Sequence, residues 1–206
     1  MADKDAARYV GGVAIHWYAH DSIPLISRKL IALTSKKYPH LPIINTEACN
    51  GYNSGLHVDL GSWERAAKYT HDIIQDMLRG VSGWIDWNMC LDETGGPTWV
   101  PNYVDSPIIV NATANEFYRQ PTYYALGHFS KLIKPGMRRV FTSTAGAESG
   151  DIEFETIGFA NSTHTVLVVH SRKETPQTIS ILDKTRNRQL TVDIDAESIS
   201  TLVWRT

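Results

Sequence analysis

The sequence predicts an α/β half followed by an all-β half. Up to about Lys134, short apolar runs alternate with helical periods. Past Pro135-Gly136, runs rich in β-branched residues recur about every ten residues between Gly, Asn, Ser and Pro clusters. A chain of 206 residues with 42% hydrophobic and 20% charged residues has the make-up of one large or two small folded domains.

In the first half, Val10 to His16 reads as a buried strand. A helix follows over Ser22 to Lys37, with Ser22 as N-cap, Pro24 in its opening turn, and Leu25, Leu30, Ile31 and Leu33 as apolar contacts. Pro42 to Thr46 is a second buried strand. The helix from about Ser62 to Gly80 has the clearest pattern, with Trp63, Ala66, Ala67, Ile73, Ile74, Met77 and Leu78 on one face and Gly80 ending it. Val81 to Leu91 is the third strand. Strands alternating with helices at this spacing make a parallel sheet with crossover helices. Such a sheet needs cover on both faces, which two helices do not supply, so this half reads as part of something larger.

A helix around Thr122 to Ile133 leads into the second half. There the strands are Arg138–Ser143, Ile152–Phe159, Thr163–His170, Thr178–Leu182, Gln189–Ile194 and Ile199–Trp204, the signature of an antiparallel sandwich or barrel.

Composition excludes several functions. A net charge of −2 offers no basic excess to track a phosphate backbone, so nucleic acid is not an expected partner. Cys49 and Cys90 are too few for a disulfide scaffold. No apolar run approaches the roughly 18 to 20 residues needed to span a bilayer. Met1-Ala2-Asp3-Lys4-Asp5 leads into no secretory apolar region. Asn111-Ala112-Thr113 and Asn161-Ser162-Thr163 are formal glycosylation sequons of little weight.

Functional groups of a parallel α/β barrel gather at the carboxyl ends of its strands. That rule selects His16-Trp17-Tyr18, then Asn45-Thr46-Glu47-Ala48-Cys49, then Gly83-Trp84-Ile85-Asp86-Trp87-Asn88 with Gly95-Gly96-Pro97, Trp99 and Asn102 beyond it. Glu47, at a strand mouth, is the leading candidate for a nucleophile or base, against the plainer role of a rim glutamate in a salt bridge. Trp17, Tyr18, Trp84, Trp87 and Trp99 crowd the same ends, where flat aromatic faces beside polar side chains suit a sugar ring. The competing reading has at least two of these tryptophans filling space between strands and helices. Alternation pairs Trp84 with Asp86 on one face of the third strand and Ile85 with Trp87 on the other. His16, His20 and Cys49 match no metal-site spacing, so no metal is expected.

These strings resemble the glucosylceramidases of glycoside hydrolase family thirty. Val13-Ala14-Ile15-His16-Trp17-Tyr18, Ile44-Asn45-Thr46-Glu47-Ala48-Cys49, Leu60-Gly61-Ser62-Trp63-Glu64-Arg65 and Gly83 to Asn88 follow in family order. So do Gly95-Gly96-Pro97, Asn102 to Val110, Gly127-His128-Phe129-Ser130-Lys131 and Leu202-Val203-Trp204-Arg205. The resemblance implies the last three strands of a TIM (β/α)8 barrel with its linking helix over residues 1–134. An antiparallel β-sandwich domain over 135–206 would follow.

It also implies hydrolysis of the β-glucosidic bond of glucosylceramide with retention of configuration. Glu47 matches the nucleophile, Trp87 and Asn102 match glucose-pocket residues, and His16 and Tyr18 match residues supporting the nucleophile. The family's acid/base, a glutamate after an asparagine on an earlier barrel strand, has no counterpart here. The one Asn-Glu pair, Asn115-Glu116, falls beyond the last barrel strand. An incomplete chain without activity of its own is therefore expected, with no cofactor. By the same resemblance the setting is the lysosome, with substrate in a membrane surface and help from an activator protein and anionic lipid. Two other readings remain: a non-catalytic sugar- or lipid-surface-binding fragment, and a structural partner that completes its barrel with another chain.

Overall fold

The computed structural model describes residues 3–52, 54–144 and 154–206, arranged as two compact units, 1–123 and 124–206. The first begins with a short helix, α1 (Lys4–Ala7), capped by the Asp3 carboxylate. Its central sheet has three parallel strands, β1 (Val13–His16), β2 (Ile43–Glu47) and β3 (Val81–Trp84), in the order β1-β2-β3. Ile15 stands beside Asn45, and Asn45 beside Trp84. A register shift just after Ile15 then sets His16 opposite Glu47. Ile31, Ile43 and Val81 form the buried cluster on one side of this sheet.

Between β1 and β2 run α2 (Ala19–Ser22) and α3 (Pro24–Lys37). Ser22 ends α2 instead of capping α3, whose N-cap is Ile23 without a side-chain bond; Pro24 occupies the first turn, where its missing N–H costs nothing. Of the four apolar residues expected to pack, Ile31 alone is buried. Leu25 is 86% exposed, and Leu30 and Leu33 are also exposed, so most of this helix's apolar surface meets no partner within the unit.

The crossover helix α4 (Trp63–Leu78) buries Ala66, Tyr69, Ile73 and Ile74, while Trp63 and Leu78 at its two ends are exposed. Its buried stripe also carries Thr70, Asp72 and Asp76. Gly80 ends the run at φ +95°; a Cβ there would also strike the Ser35 hydroxyl.

The expected third strand, Val81 to Leu91, divides in two. The central sheet stops at Trp84, and β4 (Cys90–Asp92) enters a separate sheet, parallel to β5 (Ile108–Asn111), which pairs antiparallel with β6 (Glu116–Arg119). Asn115, at φ 55°, turns the chain between β5 and β6, so Asn115-Glu116 belongs to a hairpin. The division between the units falls within α5 (Pro121–Ser130).

The second unit is antiparallel. β7 (Arg138–Val140), β8 (Phe154–Ala160), β9 (His164–Ser171) and β12 (Ser198–Arg205) make a four-stranded sheet in the order β12-β9-β8-β7. β10 (Gln177–Asp183) and β11 (Arg188–Ile194) make a hairpin sheet. Leu167, Val169 and Ile194, with Ile179, Val192 and Trp204 against them, join the two sheets into one core. The expected start of β8 at Ile152 lies outside the described residues.

Candidate active site

Glu47 ends β2, and its backbone oxygen accepts the Trp17 N–H at 3.3 Å. Ala48 O accepts the Trp87 N–H at 2.9 Å, so the chain leaving β3 follows the mouth of β2 past the end of the regular sheet. These two bonds hold Trp17, Glu47 and Trp87 at one strand mouth. The Glu47 side chain is half-buried at 28% exposure. The Tyr18 hydroxyl donates to its Oε1 at 2.9 Å, and His16 Nδ1 lies 3.8 Å from the same oxygen.

Cys49 Sγ is 3.3 Å from the Tyr18 oxygen. Because the Tyr18 proton is directed at Glu47, the thiol is the donor here, giving a relay from Cys49 S–H to Tyr18 O–H to Glu47. Burial pushes the Cys49 thiol up to about 11, which keeps its proton in place. Burial, then the Cys49 and Glu47 neighbours, raise Tyr18 far above the ordinary phenol range. Both donors are thus locked in the donating state. A carboxylate served by such donors is held in one orientation, as a nucleophile requires.

The aromatic residues at the strand ends divide between packing and exposure. Trp17 is buried edge-to-face against Tyr69 and Trp84, with ring centroids 5.3 and 6.5 Å away, and Lys68 Nζ lies 4.5 Å from its ring. Trp17 and Trp84 therefore fill the space between sheet and helix. Trp87 presents its indole outward at 42% exposure. Trp99, at 97%, is fully in solvent.

Asn102 stands on a segment tied to the same mouth. Asp105 N–H donates to Asn50 O at 2.9 Å, and Val104 packs with Cys49, Leu91 and Ile109 against Tyr18 and Tyr52. Gly95 at φ +88° lets that segment approach closely; a Cβ would lie 2.4 Å from Val104 O. Asp105 is fixed by Arg65 of α4 and by Gln120 Nε2 at 3.0 Å.

The structure adds two features at and behind the mouth. Asp86 is turned toward α4, where it hydrogen-bonds the buried Tyr69. Burial outweighs that bond and pushes its carboxyl up to about 7. The second feature is a polar cluster behind the mouth, made by His20, Asp72 and Asp76, whose donor atoms lie within 4.8 Å of one another. The three candidates for metal ligands do not converge: His16 faces Glu47, Cys49 meets Tyr18, and His20 bonds Asp72 at 2.6 Å. Two aspartates at i and i+4 on the apolar stripe of α4 were the available signal for this cluster. A cavity of about 300 Å³ lined by Val13, Ile15, His16, His20, Leu30 and Ile31 opens between β1 and α3, with no contribution from Glu47.

A parallel strand–helix segment with a carboxylate at its mouth, joined in sequence to antiparallel sheets, defines an α/β plus all-β class of protein. Residues 1–133 match the glycosyl hydrolase family 30 TIM-barrel domain, and residues 136–202 match that family's beta sandwich domain. The chain belongs to glycosyl hydrolase family 30.

It is 40% identical over 207 residues to the lysosomal acid glucosylceramidase of Mus musculus, covering 100% of this chain and 39% of that relative. Among solved structures it is similar to SrfJ from Salmonella typhimurium, with 30% identity and a TM-score of 0.84 over 100% of this chain and 43% of that one. The endo-beta1,6-glucanase BT3312, 21% identical with a TM-score of 0.79, shares the fold over 99% of this chain and 43% of its own. The chain spans 38 to 39% of the length of the curated relatives compared. No helix among the described residues is long and apolar enough to cross a membrane.

Proposed function

We propose that this chain is the nucleophile-bearing part of a retaining β-glucosidase whose substrate is glucosylceramide or a related β-glucoside. The observation that carries the proposal is Glu47 at the β2 mouth, bonded by Tyr18 at 2.9 Å and flanked by His16 and Trp87. In this reading Glu47 attacks the anomeric carbon, the glycosidic oxygen leaves, and a glycosyl ester forms on the carboxylate. Water then displaces Glu47 from the opposite face, and two inversions give retention. Tyr18 and His16 orient the carboxylate, Trp87 stacks on the glucose ring, and Asn102 hydrogen-bonds its hydroxyls.

The second carboxyl group stands about 5 to 5.5 Å from the nucleophile in a retaining site. Neither Glu116 nor Asp86 suits that second role. Glu116 lies in a hairpin, and Asp86 bonds Tyr69 of α4. We assign the acid/base to barrel strands outside these 206 residues, which fits the 38 to 39% coverage of the relatives. β1 to β3 are then the last three barrel strands, residues 1–134 the barrel part and 135–206 the sandwich. The edge of β1, unpaired among the described residues, and the exposed Leu25, Leu30 and Leu33 of α3 support that placement, as surfaces that further strand–helix units would cover. General acid assistance is worth about 10² to 10⁴-fold, so the chain by itself turns over ordinary glucosides poorly. A lysosomal setting, a membrane surface with anionic lipid and an activator protein complete the proposal, supported by the likeness to the mouse lysosomal enzyme.

An activated β-glucoside tests this without the missing acid, because a dinitrophenolate leaves unprotonated. Proton NMR of the 2,4-dinitrophenyl glucoside reaction should show β-glucose as the first sugar formed, and Glu47→Gln should abolish it. α-Glucose as first product, or equal release by Glu47→Gln, overturns the proposal.

A further inference from the structure

Asp72 and Asp76 sit one turn apart on the buried face of α4, at 2% and 0% exposure. The helix α2 that follows β1, the strand β2 and the strand β3 each send one polar side chain to this pair. From the exit of β1, His20 Nδ1 bonds Asp72 Oδ1 at 2.6 Å, and its Nε2 lies 3.9 Å from Asp76 Oδ1. From β2, Asn45 Nδ2 donates to Asp76 Oδ2 at 2.9 Å and to Asp72 Oδ2 at 3.4 Å. From β3, Trp84 Nε1 donates to Asp72 Oδ2 at 2.9 Å. Arg28 of α3 adds its guanidinium 3.9 Å from Asp72 Oδ1.

The three anchored residues lie two or three positions from Tyr18, Glu47 and Trp87, the side chains that must meet a single sugar ring. We propose that Asp72 and Asp76 are positioning residues, a clamp that fixes the three strand ends in register and thereby aims Glu47 between Tyr18 and Trp87. The proposal rests on the reading of Glu47 as the nucleophile and adds the element that orients it.

Energetics favour a positioning role over a purely stabilising one. Two carboxylates in the interior are costly to desolvate, and apolar side chains of similar volume would hold a helix on a sheet at lower cost. Asp76 Oδ1 has no hydrogen-bond partner, and burial next to Asp72 pushes Asp76 up to about 6. What the aspartates provide and apolar groups cannot is direction: carboxylate oxygens accept at set angles from donors on α2, β2 and β3 at once. Strand-end register is sensitive to such bonds, because the regular sheet stops at His16, Glu47 and Trp84.

The test is amide hydrogen exchange by NMR on the whole chain, together with the rate at which a fluoroglucoside inactivator labels Glu47. Asp72→Leu and Asp76→Leu should speed exchange of the Trp17 and Trp87 amides about tenfold or more, with the mid-α4 Ile74 amide unchanged. Labelling of Glu47 should slow by about the same factor. Asp72→Asn and Asp76→Asn, which keep an acceptor oxygen, should restore both. Trp84→Phe removes one bond alone and should show a smaller loss of the same kind, a readout that survives if a leucine variant fails to fold.

Equal acceleration at Trp17, Trp87 and Ile74 means a merely structural role and overturns the clamp, as does unchanged labelling. Selective acceleration at Trp17 and Trp87, with label found on a carboxylate other than Glu47, keeps the clamp and removes the nucleophile reading instead.

Discussion

Replacing Asp86 by asparagine removes a carboxyl group that the fold holds in an unfavourable place. Its carboxyl is pushed from 3.8 to about 7, chiefly by burial, with Tyr69 and the backbone around Asn88 opposing the shift. The unfolded chain releases this proton near 3.8, whereas the folded chain keeps it to about 7. Between those values the folded state binds more protons, so the contribution is full below about pH 4 and is lost as pH rises toward 7. At 1.36 kcal/mol per unit, the shift corresponds to about 4 kcal/mol.

Asparagine keeps an oxygen for Tyr69 but places an N–H₂ where Asp86 Oδ2 now has no partner. Burying that donor costs about 1 to 2 kcal/mol. The net expectation is a gain of about 2 to 3 kcal/mol at pH 8 and a loss of no more than about 1 kcal/mol at pH 4.5, where about 1 kcal/mol of the linkage is already lost. Urea unfolding followed by tryptophan fluorescence suits the measurement, since five of the six tryptophans lie in the first unit. Stability differences between variant and wild type that are equal at the two pH values would refute the assignment of that proton to Asp86.

Tyr18→Phe removes the donor to Glu47 Oε1 and should slow formation of the glycosyl ester about tenfold to a hundredfold, measured as the rate of inactivator labelling. Buried and with its thiol pushed up to about 11, Cys49 should resist an aromatic disulfide reagent in the native protein. Exposed Cys90 should react at once, giving one thiol per chain before urea and two after it. Leu25→Lys with Leu30→Lys replaces exposed apolar surface on α3 and should lower the sedimentation coefficient of any self-associated species, with little change in melting temperature.

Where periodicity and burial coincide, the fold was legible in the sequence. Short apolar runs marked β1 and β2, and β-branched runs about ten residues apart between turn clusters marked the antiparallel strands from β8 to β12. The three-residue periodicity of α4 marked its core side correctly through Ala66, Ile73 and Ile74, and the exposed Trp63 and Leu78 lie where the helix outruns its support. The pattern on α3 misled. An amphipathic stripe predicts contact with something, and among the described residues of this unit Leu25, Leu30 and Leu33 stay exposed. β4 was merged with β3 into one strand, and β5 and β6 went unmarked, because three- and four-residue strands leave almost no period to detect.

At the mouth, the strand-end rule found His16, Tyr18, Glu47 and Trp87, since the rule concerns where a strand stops. It placed Trp17 and Trp84 beside them, and the structure assigns those two to packing against Tyr69. Asp72 and Asp76 were missed, and the partner of Asp86 was not foreseen, for a common reason. Their partners, His20, Asn45, Trp84 and Tyr69, are brought to them only by the crossover of α4 over the sheet, and no local spacing encodes that meeting.

The central claim is that Glu47 forms a covalent bond to the anomeric carbon. Incubation with 2,4-dinitrophenyl 2-deoxy-2-fluoro-β-glucoside tests it directly, because the fluorine slows release of the glycosyl ester while the leaving group needs no acid. Peptide mass spectrometry should find one fluoroglucosyl group, on the peptide containing Glu47, and none in Glu47→Gln. A label on Asp86 or any other carboxylate, or no label on the wild-type chain, would contradict the account.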